Sequence, residues 1–262
     1  MTRAEPFDLS RITRETFVRD VEYHDVLGST NDRALEILSL ETFDAPFLVL
    51  ADSQTSGRGR GSNAWWSPPG ALAYSLIVDA PSHGLSAERQ RLVSLAAGLS
   101  VCEALKDLLP NAILHLKWPN DVFLNGRKAS GLLVEASGTR PGRMVVGIGI
   151  NVNNSLQAAP MELRGIATSL VEAAGSPQDR TDVLIRVLQR FDAALQSLAA
   201  SDSELLGRWR EFCVLTGRTV LLRVGTQDAL GRCQGIDDDG ALVLETPDGI
   251  SRFQSGVVVR YE

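Results

Sequence analysis

Apolar residues recur in this chain sometimes at every second position and sometimes at every third or fourth, and from about residue 20 the two rhythms alternate irregularly. A strict strand–helix–strand series would alternate regularly, so the pattern predicts a mixed sheet with helices packed on it, an α+β fold. Val21 to Leu27, Phe47 to Ala51, Ala71 to Val78, Ile113 to Lys117 and Met144 to Ile150 read as strands. Leu92, Leu95, Leu99 and Leu105 fall at helical steps, as do the run from Val183 to Leu198 and the shorter set Leu205, Leu206, Trp209 and Phe212. Ser29-Thr30-Asn31-Asp32 offers a capping box after the first strand, and Asn125-Gly126 predicts a type I′ hairpin between Val122–Leu124 and Leu132–Glu135. From Gly217 the texture changes to short β-rich runs at Thr219 to Val224, Ala241 to Glu245 and Val257 to Arg260, which predict a small barrel. The expected organisation is an N-terminal extension at 1–20, a main domain at 21–214 and a small β domain at 215–262, and 262 residues suffice for one large core with a satellite.

Charge and cysteine content narrow the partners. Lys plus Arg number 26 against 32 Asp plus Glu, a net charge of −6, which argues against a nucleic-acid backbone as partner. The three cysteines, Cys102, Cys213 and Cys233, lack metal-ligand spacing to His24, His83 or His115 and read as reduced thiols of a cytoplasmic protein. The first twenty residues hold no apolar signal-like core, and the stretch from Leu92 to Leu105 is too short and too interrupted to span a bilayer, so no membrane association is expected.

Three segments carry chemistry. Asp52 to Gly70 is a long connection between two predicted strands, with glycines at 57, 59 and 61 interleaved with Arg58 and Arg60. Such glycines let backbone approach an anion, and guanidinium forks suit phosphate or carboxylate; the adjacent Trp65 and Trp66 argue against a merely solvated linker. Lys117-Trp118-Pro119-Asn120-Asp121 delivers a lysine to a strand end, where Pro119 breaks the ladder; alone, this is equally an ordinary surface turn. Gly147-Ile148-Gly149-Ile150-Asn151 is a small-residue strand open to close ligand approach, or simply a buried one. Arg127-Lys128 beside the Asn-Gly turn reads by itself as an exposed charge pair. Walker A, Rossmann and Ser-His-Asp patterns are absent.

Taken together in order and spacing, Gly28 to Asn31, Gln54 to Arg60 with Trp65, Lys117 to Asp121, Arg127-Lys128 with Gly131, and Gly147 to Asn151 resemble the biotin–protein ligase family over roughly residues 20 to 260. The resemblance implies the catalytic fold shared with class II aminoacyl-tRNA synthetases, followed by an SH3-like barrel. With no helix-turn-helix ahead of the catalytic domain, the chain looks like the monofunctional type. It departs from the commoner Gly-Arg-x-Trp continuation of the loop, having Gly61-Ser62-Asn63-Ala64-Trp65, so Asn63 offers a neutral hydrogen bond where an arginine would meet phosphate.

The activity implied is ATP-dependent formation of biotinyl-5′-AMP and transfer of biotin to a lysine of a biotin carboxyl carrier domain, with ATP, Mg²⁺ and biotin as the small molecules. Arg58, Arg60 and Lys117 would be the catalytic cations. Biotin would be held by Ser29, Thr30, Asn31, Gln54, Gly57, Arg58, Gly59, Arg60, Tyr74, Lys117, Gly131 and Gly147. ATP would meet Arg58, Asn63, Trp65, Lys117, Asn120, Ile150 and Asn151, and Asp121 would meet Mg²⁺. The chain would act as a monomer or homodimer. A lipoate or octanoate transferase of the same fold, and a non-catalytic biotin-dependent regulator, are the alternatives.

Overall fold

The computed structural model describes residues 5–39, 43–138 and 140–262. A short helix α1 (Leu9–Glu15) leads into strand β1 (Asp20–Leu27), helix α2 (Thr30–Ser39), and strands β2 (Phe47–Gln54) and β3 (Leu72–Asp79). Helices α3 (Ala87–Gln90) and α4 (Val93–Leu108) follow, then strands β4 (Leu114–Lys117), β5 (Asp121–Leu124), β6 (Arg127–Ala136) and β7 (Arg143–Ile150). Helices α5 (Leu170–Ala174), α6 (Arg180–Ala199) and α7 (Glu204–Phe212) complete the main domain.

Its seven strands lie in the order β1-β2-β3-β7-β6-β5-β4, with β1 and β2 parallel and all other pairs antiparallel. The parallel pair needs a crossover, and α2 supplies it. One face of the sheet is covered by α4 and α6. Helix α4 is apolar nearly all round because it lies between the sheet and α6, burying Leu95, Leu99, Val101 and Leu105. The other face packs Val49, Ile77 and Val145 against Ala34, Ile37 and Leu38 of α2. Asn125 and Gly126 have φ of 50° and 79°, as the type I′ turn requires.

The small domain is a five-stranded antiparallel sheet in the order β11-β10-β9-β8-β12, built from β8 (Thr219–Val224), β9 (Gln227–Ile236), β10 (Leu242–Thr246), β11 (Gly249–Phe253) and β12 (Val257–Tyr261). Strands β9 and β11 escape a periodicity reading, since glycines and exposed polar residues fill them. The small sheet shares one continuous core with the main domain. Val214 N–H donates to the Leu116 carbonyl at the free edge of β4, Trp118 Nε1 donates to Gly240 O at 3.1 Å, and Arg210 reaches Ile236 O.

The stretch read as an N-terminal extension is, from residue 5, part of the main core; residues 1–4 lie outside the described residues. Phe7, Ile12 and Val18 are buried, and Arg180, 5% exposed, gathers the segment in. Its guanidinium donates to Asp52 Oδ1 (2.6 Å), Ala71 O (3.1 Å) and Glu5 O (2.6 Å), and lies 4.4 Å from the Phe7 ring centroid. Replacing Arg180 by Met strands a partly buried Asp52 and two carbonyls, so urea unfolding is expected to show a loss of about 3 kcal/mol, the low end for breaking a buried pair because Asp52 is partly solvated. A loss below about 1 kcal/mol would mean that the guanidinium is not what fastens the N-terminal segment.

Candidate active site

A cavity of about 680 Å³ opens on the α2 face of the sheet, walled on its far side by β8 and β12 of the small domain. Strand alternation decides what meets it. Ser75, Gly147, Leu133 and Glu135 fall at adjacent register positions of β3, β7 and β6, and they surround Asn31 at the start of α2. A Cβ at Gly147 would overlap the Asn31 amide, so only glycine lets that side chain lie flat on the sheet. Asn31 Nδ2 donates to Glu135 Oε2 (2.9 Å) and Leu133 O (3.3 Å), and its Oδ1 lies 2.5 Å from Ser75 Oγ. Thr30 N–H donates to Gln54 Oε1 at 2.8 Å, fastening the helix start to the end of β2.

The expected capping box is half formed. Ser29 Oγ accepts from Asp32 N–H, but the Asp32 carboxylate turns to Arg58 Nη1 at 2.5 Å. Arg58 also pairs with Glu135 at 2.7 Å. Its charge is therefore met by two carboxylates, which makes it a strap between hairpin, helix and sheet.

The long glycine–arginine connection is itself an ordered hairpin. Gln54 N–H donates to Ser67 O, Trp65 N–H to Gly57 O and Gly59 N–H to Asn63 O, a narrow hairpin that turns at residues 60–63. Its inner side presents Trp65, whose indole lies where a Cβ of Gly149 would be and touches Gly131. Asn63 Nδ2 donates to Arg60 O within the turn. Arg60 reaches Gly256 O of the small domain at 3.4 Å, and among the described residues it has no carboxylate partner. Burial pulls its guanidinium below the usual arginine range.

Fifteen expected residues line the cavity: Ser29, Thr30, Asn31, Gln54, Arg58, Gly59, Arg60, Asn63, Trp65, Tyr74, Lys117, Asn120, Asp121, Gly131 and Gly147. Gly57, Ile150 and Asn151 do not. Gly57 sits at the base of the hairpin against Trp65 O, and Ile150 is fully buried. Asn151 is spent inside the fold, its Nδ2 donating to Thr168 O and its Oδ1 accepting from Asn154. Lys128 is the residue that the sequence hides. Its Nζ lies 2.6 Å from Asp121 Oδ1 and 5.8 Å from the Trp65 ring centroid, inside the cavity. The chain has three lysines, and two of them, Lys117 and Lys128, face this space. Lys117 is half-buried, and desolvation holds its ammonium below the ordinary lysine range.

Among the described residues Asp121 is the one carboxylate lining the cavity, and no three His, Cys, Asp or Glu side chains converge on a metal position. That donor set fits a Mg²⁺ ion carried on a polyphosphate, which needs one protein carboxylate at most. The buried Trp65 Nε1 has no hydrogen-bond partner among the described residues, which fits a polar ligand group beside the indole; the Tyr74 hydroxyl, also without one, lies in the core on the α4 face of the sheet.

A model described as the biotin/lipoate A/B protein ligase family matches residues 23–153, and one described as the biotin protein ligase C terminal domain matches residues 216–261. The chain belongs to the biotin protein ligases. Among its relatives is a biotin–[acetyl-CoA-carboxylase] ligase of Paracoccus denitrificans, 35% identical over 84% of this chain and 92% of the relative. A bifunctional ligase/repressor BirA of Bacillus subtilis is 34% identical over 89% of this chain and 71% of its own length. A biotin protein ligase from Aquifex aeolicus in complex with biotin and ATP superposes with a TM-score of 0.78 at 31% identity, covering 93% of this chain and 98% of that one. No helix among the described residues of this ligase is long and apolar enough to cross a membrane.

The glycine seat of Trp65 is open to a direct check. Gly149→Ala is expected to expel the indole, with an overpacking cost of about 1–3 kcal/mol and a shift in tryptophan emission. The same substitution in a Trp65→Phe background should leave the emission of the other three tryptophans nearly as it was. An equal shift in both backgrounds would show that Gly149 does not seat Trp65.

Proposed function

We propose that this chain joins biotin to ATP as biotinyl-5′-AMP and passes the acyl group to one lysine of a biotin carboxyl carrier domain. Beside family membership, the observation that carries this reading is a cavity with Lys117, Lys128 and Arg60 on its walls and, among the described residues, a single carboxylate, Asp121. In the first step biotin's carboxylate oxygen bonds to the α-phosphorus and pyrophosphate leaves, so two anions must be brought together and charge builds on phosphorus. In the second the acceptor's neutral amine forms an amide with the anhydride carbon, AMP leaves with the bonding pair, and the amine proton passes to solvent.

Lys128 and Lys117 are the amines placed for the first step. Lys128 projects between Asp121 and Trp65 beside Gly131, and Lys117 lines the same cavity from the side of the small domain. Trp65 offers its ring to the nucleotide base, and Thr30 and Gln54 offer donors and acceptors to the ureido ring. Asp121 keeps Lys128 in place and has a second oxygen for the ion on the phosphates. Bound Mg²⁺ would offset charge on the triphosphate and ease departure of pyrophosphate. The hairpin at 54–67 covers the site and excludes water from the anhydride.

The test is transfer of labelled biotin from ATP-containing buffer to a purified carrier domain, with biotin-dependent pyrophosphate release as the partial reaction. Lipoate in place of biotin should give no release; equal turnover with lipoate would overturn the choice of substrate. Lys128→Met is expected to lower pyrophosphate release by about 10²–10³, the usual cost of losing one fixed donor at a developing charge. A near wild-type rate would remove Lys128 from the reaction.

A further inference from the structure

Lys117 lies at the end of β4, opposite Asp121 of β5, whose charge it feels but whose carboxylate is paired with Lys128. What its half-buried ammonium does meet comes from strand β12: the Val258 carbonyl at 3.5 Å and the Tyr261 ring, whose centroid is 5.6 Å from Nζ. The same ring receives the Arg218 guanidinium at 5.2 Å, from the segment that joins the domains. Strand β12 is an edge strand, paired with β8 alone and closed by the mutual bonds of Thr219 and Glu262 at 3.1 Å. An aromatic face attracts a cation, and a lysine stem gives up substantial rotamer freedom when it is fixed. The small domain thus supplies the seat for a cation that belongs to the main domain's cavity.

We propose that Tyr261 is a positioning residue for nucleotide activation: its ring, with the Val258 carbonyl, holds the Lys117 ammonium on the cavity wall, so the small domain acts on the reaction through Lys117. This rests on the ligase reading above, in which ATP occupies the cavity. Lys117 then meets the phosphates from the side of the small domain while Lys128 meets them from the sheet. A small domain that is docked but lacks the ring leaves Lys117 free to swing along β12. The substrate itself is not touched by Tyr261 in this arrangement.

A double-mutant cycle on biotin-dependent pyrophosphate release separates positioning from general support of the fold. Tyr261→Leu is expected to lower kcat/KM for ATP on the order of tenfold, equivalent to about 1.4 kcal/mol, with KM for biotin little moved. Tyr261→Phe, which keeps the ring, should recover most of the loss. In a Lys117→Met background Tyr261→Leu should add almost nothing. Equal loss from the Phe and Leu variants, or full additivity with Lys117→Met, overturns the proposal. Should Tyr261→Leu fail to fold, Arg218→Ala, which loosens the ring from its other cation, goes through the same cycle with the same criterion. A wild-type chain that releases no pyrophosphate with biotin would instead overturn the ligase reading, a result distinct from an active wild type with an additive cycle.

Discussion

The seat of Asn31 on Gly147 is the contact on which the rest of the site depends. The amide lies where any side chain on the central strand β7 would stand, and it ties the start of α2 to Ser75 of β3 and to Leu133 and Glu135 of β6. Glu135 then anchors Arg58, and Arg58 anchors the hairpin. A helix terminus and three strands are thus registered to one another through a few buried polar groups, and the covering loop is tied to them by the more exposed Arg58. Such groups are costly to leave unpaired, so this network tolerates little slippage. The floor of the cavity is in this sense made by a missing side chain, and its rim by a chain of bonds that begins there.

Much of this was legible in the chain. The irregular mixture of periods gave the mixed sheet, and Asn125-Gly126 gave its turn, because short-range chemistry decides both. The β-rich texture after Gly217 located the small domain, yet β9 and β11 stayed hidden: their pairing depends on partners far along the chain, and their exposed faces leave no apolar rhythm. The hairpin at 54–67 was hidden for a similar reason, since apart from Trp65 its ladder is closed by backbone bonds of glycines and polar residues with little strand preference.

For the site, sequence motifs brought together most of the lining residues but could not rank them. Lys117 sits in the more conspicuous motif, while Lys128 beside a turn resembles any exposed lysine; only the fold of β6 back over β5 carries its amine to Asp121. Asn151 gave the opposite error. An asparagine at a strand end suits a ligand as well as it suits internal bonds, and Thr168 and Asn154 are what occupy it. Arg58 reads as a free cation in sequence because Asp32 and Glu135, its partners, lie 26 and 77 residues away.

The scarcity of lysine has a chemical consequence of its own. A chain that makes an acyl-adenylate makes an acylating agent, and what that agent attacks is a neutral primary amine. Of the 26 basic side chains only three are lysines; the remaining cations are arginines, which stay protonated and do not compete as nucleophiles. Two of the three lysines are occupied at the cavity, Lys128 by Asp121 and Lys117 by β12, and Lys106 on α4 stands over the Phe212 ring at 5.3 Å. The surface from which an escaping intermediate would first depart is therefore nearly bare of groups that could consume it, and the acceptor's lysine meets little competition from the enzyme itself.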